Sequence, residues 1–455
     1  MKSWQFPPFR LAFAAVLTTA ISVGGPLRAA ADPVLTFSVT SKNVPDTRST
    51  AKPAPKTTVE EFPLTVTLGR QYLVLEHHGH RTVYDFEHRR LYEIDVGAQT
   101  YRDSSLFTDI GFRVAEFQNR LTLGAQLAAG GLKNNPMQPA LIEHLLSLSA
   151  DSEHTVVDDV AHRDERVFSW KGRELLAVST ASSPLPADYQ AAYWRFLRYY
   201  AAGHPAIYAR LADTPGVPRM LRIVRTNINE ETRTLRLTGL EMRADTEYSL
   251  AGLTLETPPH GDPYGQIAAL ARDGATMIPG RIAQALSDRD AALGEGRYLD
   301  SMLRHFEASI EDGSLAQDWM AAHREQLSAD PESGRFAGAL RPSRGDEAEA
   351  AVKALEELKR AEPAQRYLLD VFEGNTLSRL GRRGEAVTHL LSALNSNPYL
   401  VGAWFDIGGA YYASFQPVEA WACWDAARAA RPAHPFRSVP DRLEQRLLHD
   451  HPEFF

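Results

Sequence analysis

The sequence predicts an α+β protein, in which an N-terminal antiparallel β-meander curls into a half-barrel with inserted helices and an all-α array of helical hairpins follows. Three observations carry that prediction. Between residues 64 and 106, short β-rich runs alternate with turn residues. Beyond residue 264, apolar side chains recur at helical spacing with short polar joints. Between residues 367 and 432 the chain repeats itself with a period of about 34 residues.

Residues 1–31 read as an export signal. Lys2 and Arg10 supply a basic start, residues 11–23 an apolar run too short for an ordinary membrane span, and Ala29-Ala30-Ala31 a cleavage site before Asp32. A secreted, periplasmic protein is the expected outcome, and no later stretch reaches transmembrane length. Loss of Lys2, Arg10 and Arg28 with the leader would take the formal charge from −8 to −11. That acidic, evenly mixed surface argues against nucleic acid as a partner. The single cysteine, Cys423, rules out an intramolecular disulfide, and no His and acid stand at a spacing that would make it a nucleophile.

Residues 32–63 are expected to form a short strand at 34–40 followed by a flexible linker rich in Pro, Lys, Ser and Thr. Strands are then expected at 64–68, 72–77, 82–86, 91–96 and 101–106, with Gly69, Gly79 and Gly97 among the turns. An amphipathic helix is expected at 111–129, closed by Gly130-Gly131, and a shorter one at 139–148. Strands return at 156–161, 165–170 and 174–179. A helix dense in aromatics follows at 189–201, and a hairpin joins 220–227 to 234–243. The whole α+β unit runs from 64 to 257, and the Pro258-Pro259-His260-Gly261-Asp262-Pro263 run marks its end.

Residues 258–345 read as a helical connecting region, with helices at 264–272, 280–287, 297–309 and 315–327. Asp330-Pro331 and Arg341-Pro342 bracket a looser joint. Residues 346–455 form the array itself. There Trp404, Ile407, Gly408, Tyr411, Ala420, Trp424, Ala427 and Pro432 follow a recurrent helix-turn-helix pattern, and Gly374, Ala386, Ala393 and Pro398 match it one period upstream. Small residues let the paired helices approach, and the prolines end the second helix of each pair. Ala351, Leu355 and Leu358 suggest a degenerate earlier repeat, and Ser438-x-x-Asp441 starts a polar capping helix carrying Leu443 and Leu447.

With these residues, segment 349–432 resembles the tetratricopeptide repeat family. The resemblance implies a concave groove for an extended partner segment, exposing Asn375, Ser378, Arg379, Phe405, Asp406 and Tyr412. The β-rich part, with Tyr84-Asp85-Phe86 and Arg90-Leu91-Tyr92, is similar in texture to the half-barrels of bacterial periplasmic lipoprotein carriers. That likeness implies a sheet able to hold an apolar ligand under the aromatic helix, although such aromatic stripes are more often core.

Glu76, His77, His78, His80, Asp85 and His88 crowd one hairpin and are the best metal candidates on composition. His78-Gly79-His80 falls where a turn would splay the side chains, and no H-E-x-x-H or cysteine pair accompanies it. Phosphate-loop, dinucleotide and nucleophile-elbow motifs are missing too, so no cofactor is expected. The expected function is therefore a non-catalytic interaction or scaffold protein. The alternative is an envelope enzyme or metal-binding protein with its site in the α+β part.

Overall fold

The computed structural model describes residues 31–45, 56–131, 138–149, 158–212, 214–226, 229–244, 246–256, 264–313, 318–340, 345–361 and 363–455. The leader up to residue 30, linker residues 46–55, the 258–263 boundary and Arg341-Pro342 lie outside them.

The first six strands are β1 (Asp32–Val44), β2 (Thr58–Leu68), β3 (Tyr72–His77), β4 (His80–Asp85), β5 (Arg90–Asp95) and β6 (Thr100–Ser105). They form an antiparallel meander in sequence order. A second meander comprises β7 (Asp158–His162), β8 (Glu165–Trp170) and β9 (Arg173–Ser179). The small pair β10 (Ser182–Ser183) and β11 (Val217–Pro218) stands apart, and β12 (Met220–Thr226) and β13 (Glu230–Arg243) complete the run. Strand β13 lies against β1 and so joins the two meanders. β14 (Thr254–Leu255) adds a parallel edge to β6, and among the described residues twelve strands share one sheet.

Tight turns allow such close succession. His78-Gly79 and Lys171-Gly172 both take positive φ at two consecutive residues, the geometry whose twist matches a two-residue hairpin. Strand β1 is longer than the sequence suggested. Its polar end, Ser41 to Val44, looks like linker in isolation but pairs with β13 throughout, and Ser41 Oγ reaches Glu231 Oε1 at 3.5 Å. Leu35, Phe37 and Val39 alternate into the main core, while Val74, Val83 and Ile94 face a smaller cluster under Tyr248, Leu250 and Leu253.

Helix α1 (Phe107–Ala129) leaves β6, and α2 (Pro139–Leu146) follows. Helix α3 (Gln190–Tyr200), which packs on β2, and the short α4 (Pro205–Leu211), which the sequence reading missed, come next. Tyr193, Phe196 and Leu197 of α3 are buried, and the Phe196 ring stacks on Phe37 of β1 with centroids 5.9 Å apart. The aromatic stripe thus occupies the face where an apolar ligand was expected.

The helical half begins with α5 (Tyr264–Gly294), one helix where two were expected. Pro279 lies inside it. The helix continues through the expected break and lies so close to the array that an added Cβ at Gly274 would sit 3.0 Å from Ala430. Next come α6 (Tyr298–Asp312), α7 (Asp318–Ala322) and α8 (Arg324–Ala329), the last two replacing one expected helix. Helix α9 (Pro331–Ala339) replaces the expected joint. Asp330 accepts a bond from Ser333 N at 2.9 Å and Pro331 takes the first turn, so the Asp-Pro pair starts a helix here.

The rest of the array is α10 (Gly345–Lys359), the hairpins α11 (Arg366–Arg379) with α12 (Arg383–Ser396) and α13 (Val401–Ala413) with α14 (Pro417–Ala430), and the terminal α15 (Ser438–Asp450). A Cβ at Gly374 would come 2.8 Å from Leu390, and one at Gly408 would fall onto the Trp424 indole. Both glycines are therefore demanded by the closeness of the helices.

The two halves share one continuous core. Phe107 of α1 packs on Trp421 and Phe455, Tyr199 of α3 packs on Phe454, and Arg90 of β5 pairs with Asp425 of α14 at 2.7 Å. No helix among the described residues is long and apolar enough to cross a membrane.

Candidate functional site

Helices α11 and α13 run side by side and set the six groove residues. Asn375 Nδ2 donates to Asp406 Oδ2 at 2.7 Å, joining the two helices. Burial pushes the Asp406 carboxyl up to about 6, against the opposing effects of the Asn375 bond and the Arg379 charge. Ser378 is half-buried and Arg379 exposed at the end of α11. A Cβ at Gly409, one turn beyond Phe405, would meet nothing within 4 Å. Asn375, Ser378, Arg379 and Asp406 are thus polar groups on the first helices of two adjacent hairpins. Phe405 and Tyr412 are used otherwise. Phe405 is only 4% exposed and stacks on His434, and Tyr412 stacks on Trp421 while facing Gly111 of α1.

Other sides of the array are occupied by the chain itself. Helix α6 lies across the joints between hairpins. Its Glu307 and Glu311 receive Arg281 at 3.3 and 3.1 Å and Asn397 Nδ2 at 3.1 and 3.0 Å, and Tyr367 OH reaches Glu307 at 2.5 Å. Helices α1 and α15 close the far end.

The histidine-rich hairpin divides into two places. His77 and His80 are cross-strand partners, and His78 sits in the turn at φ 51° with its ring 4.7 Å from Phe62 and Nε2 3.5 Å from Glu60. His88 lies beyond the other end of β4, where its Nδ1 is 2.7 Å from Asp85 Oδ2. Burial raises the Asp85 carboxyl, but bonds from His88 and the Tyr248 hydroxyl outweigh it and hold the group below its usual range. A cleft of about 340 Å³ opens beside His77 and His80, with Arg81, Asp95, Arg102 and Glu256 in its wall. Arg102 there faces Glu93 at 3.3 Å and Glu256 at 3.8 Å. His77 Nδ1 is buried and accepts or donates no hydrogen bond, and burial, followed by the neighbouring His78, His80 and Arg233, lowers the ring's basicity.

A third cluster escaped the sequence reading. Asp370 and Glu373, one turn apart on α11, meet His389 and Ser392 of α12 and Lys359 at the end of α10. His389 Nδ1 is 3.1 Å from Asp370 Oδ1, and its Nε2 is 3.3 Å from Glu373 Oε1. Ser392 Oγ donates to Asp370 Oδ2 at 3.3 Å. The Lys359 ammonium contacts both carboxylates. A signal for this cluster was present in the repeat register. One period downstream, the positions of Asp370, Glu373 and His389 are taken by Trp404, Ile407 and Cys423, all fully buried. Ionisable residues at positions that the repeat reserves for packing mark a change of chemistry.

Family models and curated proteins were compared with the chain, and none matches it.

Proposed function

We propose that this is a non-catalytic interaction or scaffold protein, exported to the periplasm, whose α11 and α13 face receives a segment of a protein partner. The supporting observation is the bridge between Asn375 and Asp406 beside the exposed Arg379 and the open space over Gly409. An acceptor, a cation and open space over a glycine suit an extended segment presenting amide groups and an acidic side chain. Phe405 and Tyr412 act as supports beneath this face.

The test is affinity capture from envelope extract with the full-length chain. Removal of the array would expose the shared core, so point variants are the proper comparison. A partner bound by the wild type and by His78→Ala, but lost with Arg379→Ala and Asp406→Ala, supports the reading. A partner retained equally by all four refutes the assignment to this face.

The cleft beside His77 and His80 favours a second reading, an enzyme or metal-binding protein with its site in the sheet. That reading requires the opposite pattern, in which His77→Ala and His80→Ala remove activity or ligand uptake and Arg379→Ala does not.

A further inference from the structure

We propose that Asp370, Glu373 and His389 form a binding site for a divalent transition-metal ion of the zinc type, which the ion enters by displacing the Lys359 ammonium. Each residue offers one ligand atom, and these atoms all lie within 4.8 Å of one another. The 3.1 Å between His389 Nδ1 and Asp370 Oδ1 is close to the edge of a tetrahedron with bonds of about 2.0 Å, roughly 3.3 Å. One imidazole nitrogen and two carboxylate oxygens make a mixed set suited to zinc and its neighbours, with a fourth position left for water.

Two further observations separate this cluster from an ordinary surface group of acids. Glu373 is 2% exposed, and its Oε2 accepts no hydrogen bond, facing only the Lys359 ammonium. A buried carboxylate oxygen so placed is supplied with charge but not with directed bonding, which a metal ion provides. The cluster also replaces an interior that the following hairpin fills with Trp404, Ile407 and Cys423, so packing alone does not call for it.

Access and exchange are both built in. The His389 side chain is 29% exposed and forms the solvent side of the site. Lys359 is the last residue of α10, next to the exposed Arg360, and its long stem can carry the ammonium outward without moving a helix. Ser392 holds Asp370 from behind, as outer hydrogen bonds commonly orient metal-ligating carboxylates. The lysine leaves still protonated, and the only proton released is any carried by the ligating nitrogen of His389.

The experiment titrates the full-length, tag-free chain with Co²⁺ and reads the visible d–d absorption, with Zn²⁺ as competitor. The wild type is expected to bind one Co²⁺ per chain with a tetrahedral spectrum that Zn²⁺ abolishes. His389→Ala, in which both lysine contacts remain, loses the band. Lys359→Met, freed of the competing cation, reaches half-saturation at a lower Co²⁺ concentration than the wild type. Failure of the wild type to give a band overturns the proposal, even if Lys359→Met gives one, because the ammonium is then the permanent occupant. A band that survives His389→Ala and disappears with His80→Ala also overturns it and moves the ion to the β3–β4 hairpin.

Discussion

Replacing Phe454 by Ala should weaken both halves of the molecule at once. Its ring is fully buried, 5.5 Å from the Tyr199 ring and edge-on to it, with the Arg113 guanidinium 5.5 Å from its centroid. Its carbonyl accepts the Tyr199 hydroxyl at 2.9 Å, and Tyr199 in turn lies 4.3 Å from Tyr84 of β4. Burial of a phenyl side chain contributes roughly 1.5–3 kcal/mol, and an edge-to-face partner adds about 0.5–1.5 kcal/mol. The loss should therefore be about 3 kcal/mol, at the low end of measured Phe-to-Ala changes in cores. Urea unfolding reports it when followed both by tryptophan fluorescence and by far-ultraviolet circular dichroism. Trp404, Trp421 and Trp424 lie in the array, Trp170 and Trp194 with the sheet. One transition should move in both signals, and Phe454→Leu should cost about 1 kcal/mol. A change below about 0.5 kcal/mol, or two separated transitions of which only one moves, would refute the idea that the C-terminus joins the halves into one cooperative unit.

Adjacent glycines should respond with opposite signs. Gly408→Ala drives a methyl into the Trp424 indole and should cost about 1–3 kcal/mol, whereas Gly409→Ala enters open space and should gain up to about 1 kcal/mol; thermal melts that show the same sign for both would contradict the packing. Asp406 has a folded-state value near 6, above that of an unfolded aspartate, so its contribution to stability is full below pH of about 4 and is lost as the pH rises through 6. Asp406→Asn should thus gain melting temperature relative to the wild type on going from pH 5 to pH 7.5, and a difference independent of pH would show that the carboxyl is not raised. His78→Asn should change stability by less than about 0.5 kcal/mol, because asparagine accepts the positive φ of the turn, while His78→Val should cost about 1–2 kcal/mol by urea titration.

Period and punctuation made much of this fold legible. Strand β8 was expected at the residues it occupies, and α3 and β12 to within a residue or two, since each is an apolar pattern bounded by turn chemistry. The misreadings have a common cause. Pro279 and the Asp330-Pro331 pair are local signals whose meaning depends on what packs alongside: α5 lies against α6 and α14 and continues through its proline, and Asp330 caps a helix anchored by Phe336 between Phe306 and Phe372. Strand β1 was shortened for the same reason, its polar half being a strand only because β2 and β13 flank it. Of the groove residues that the repeat resemblance implied, Asn375, Ser378 and Arg379 lie on α11 and Asp406 on α13. The resemblance gave no notice that His434 and α1 would cover Phe405 and Tyr412, because those partners lie outside the repeat.

The cluster of Lys359, Asp370, Glu373 and His389 was hidden because metal motifs are sought within one element, and these residues come from three helices. The register that places them also predicts how to erase them. If α11 and α12 share the packing geometry of α13 and α14, their polar interior can be rewritten as an apolar one by Asp370→Trp, Glu373→Ile and His389→Cys, copied from Trp404, Ile407 and Cys423, together with Lys359→Met. Single changes should be harmful, since Lys359→Met alone takes the ammonium from two buried carboxylates and leaves them only His389 and, for Asp370, Ser392, at a cost of about 3–5 kcal/mol. The fourfold variant removes the charges together and should be as stable as the wild type or up to about 4 kcal/mol more stable. Chemical denaturation of the single and fourfold variants decides it. A fourfold variant less stable than its worst single member would mean that the two hairpins do not share an interior, and the register argument would fail with it. A stable one locates the reason for these charges in what the site binds, because the fold can dispense with them.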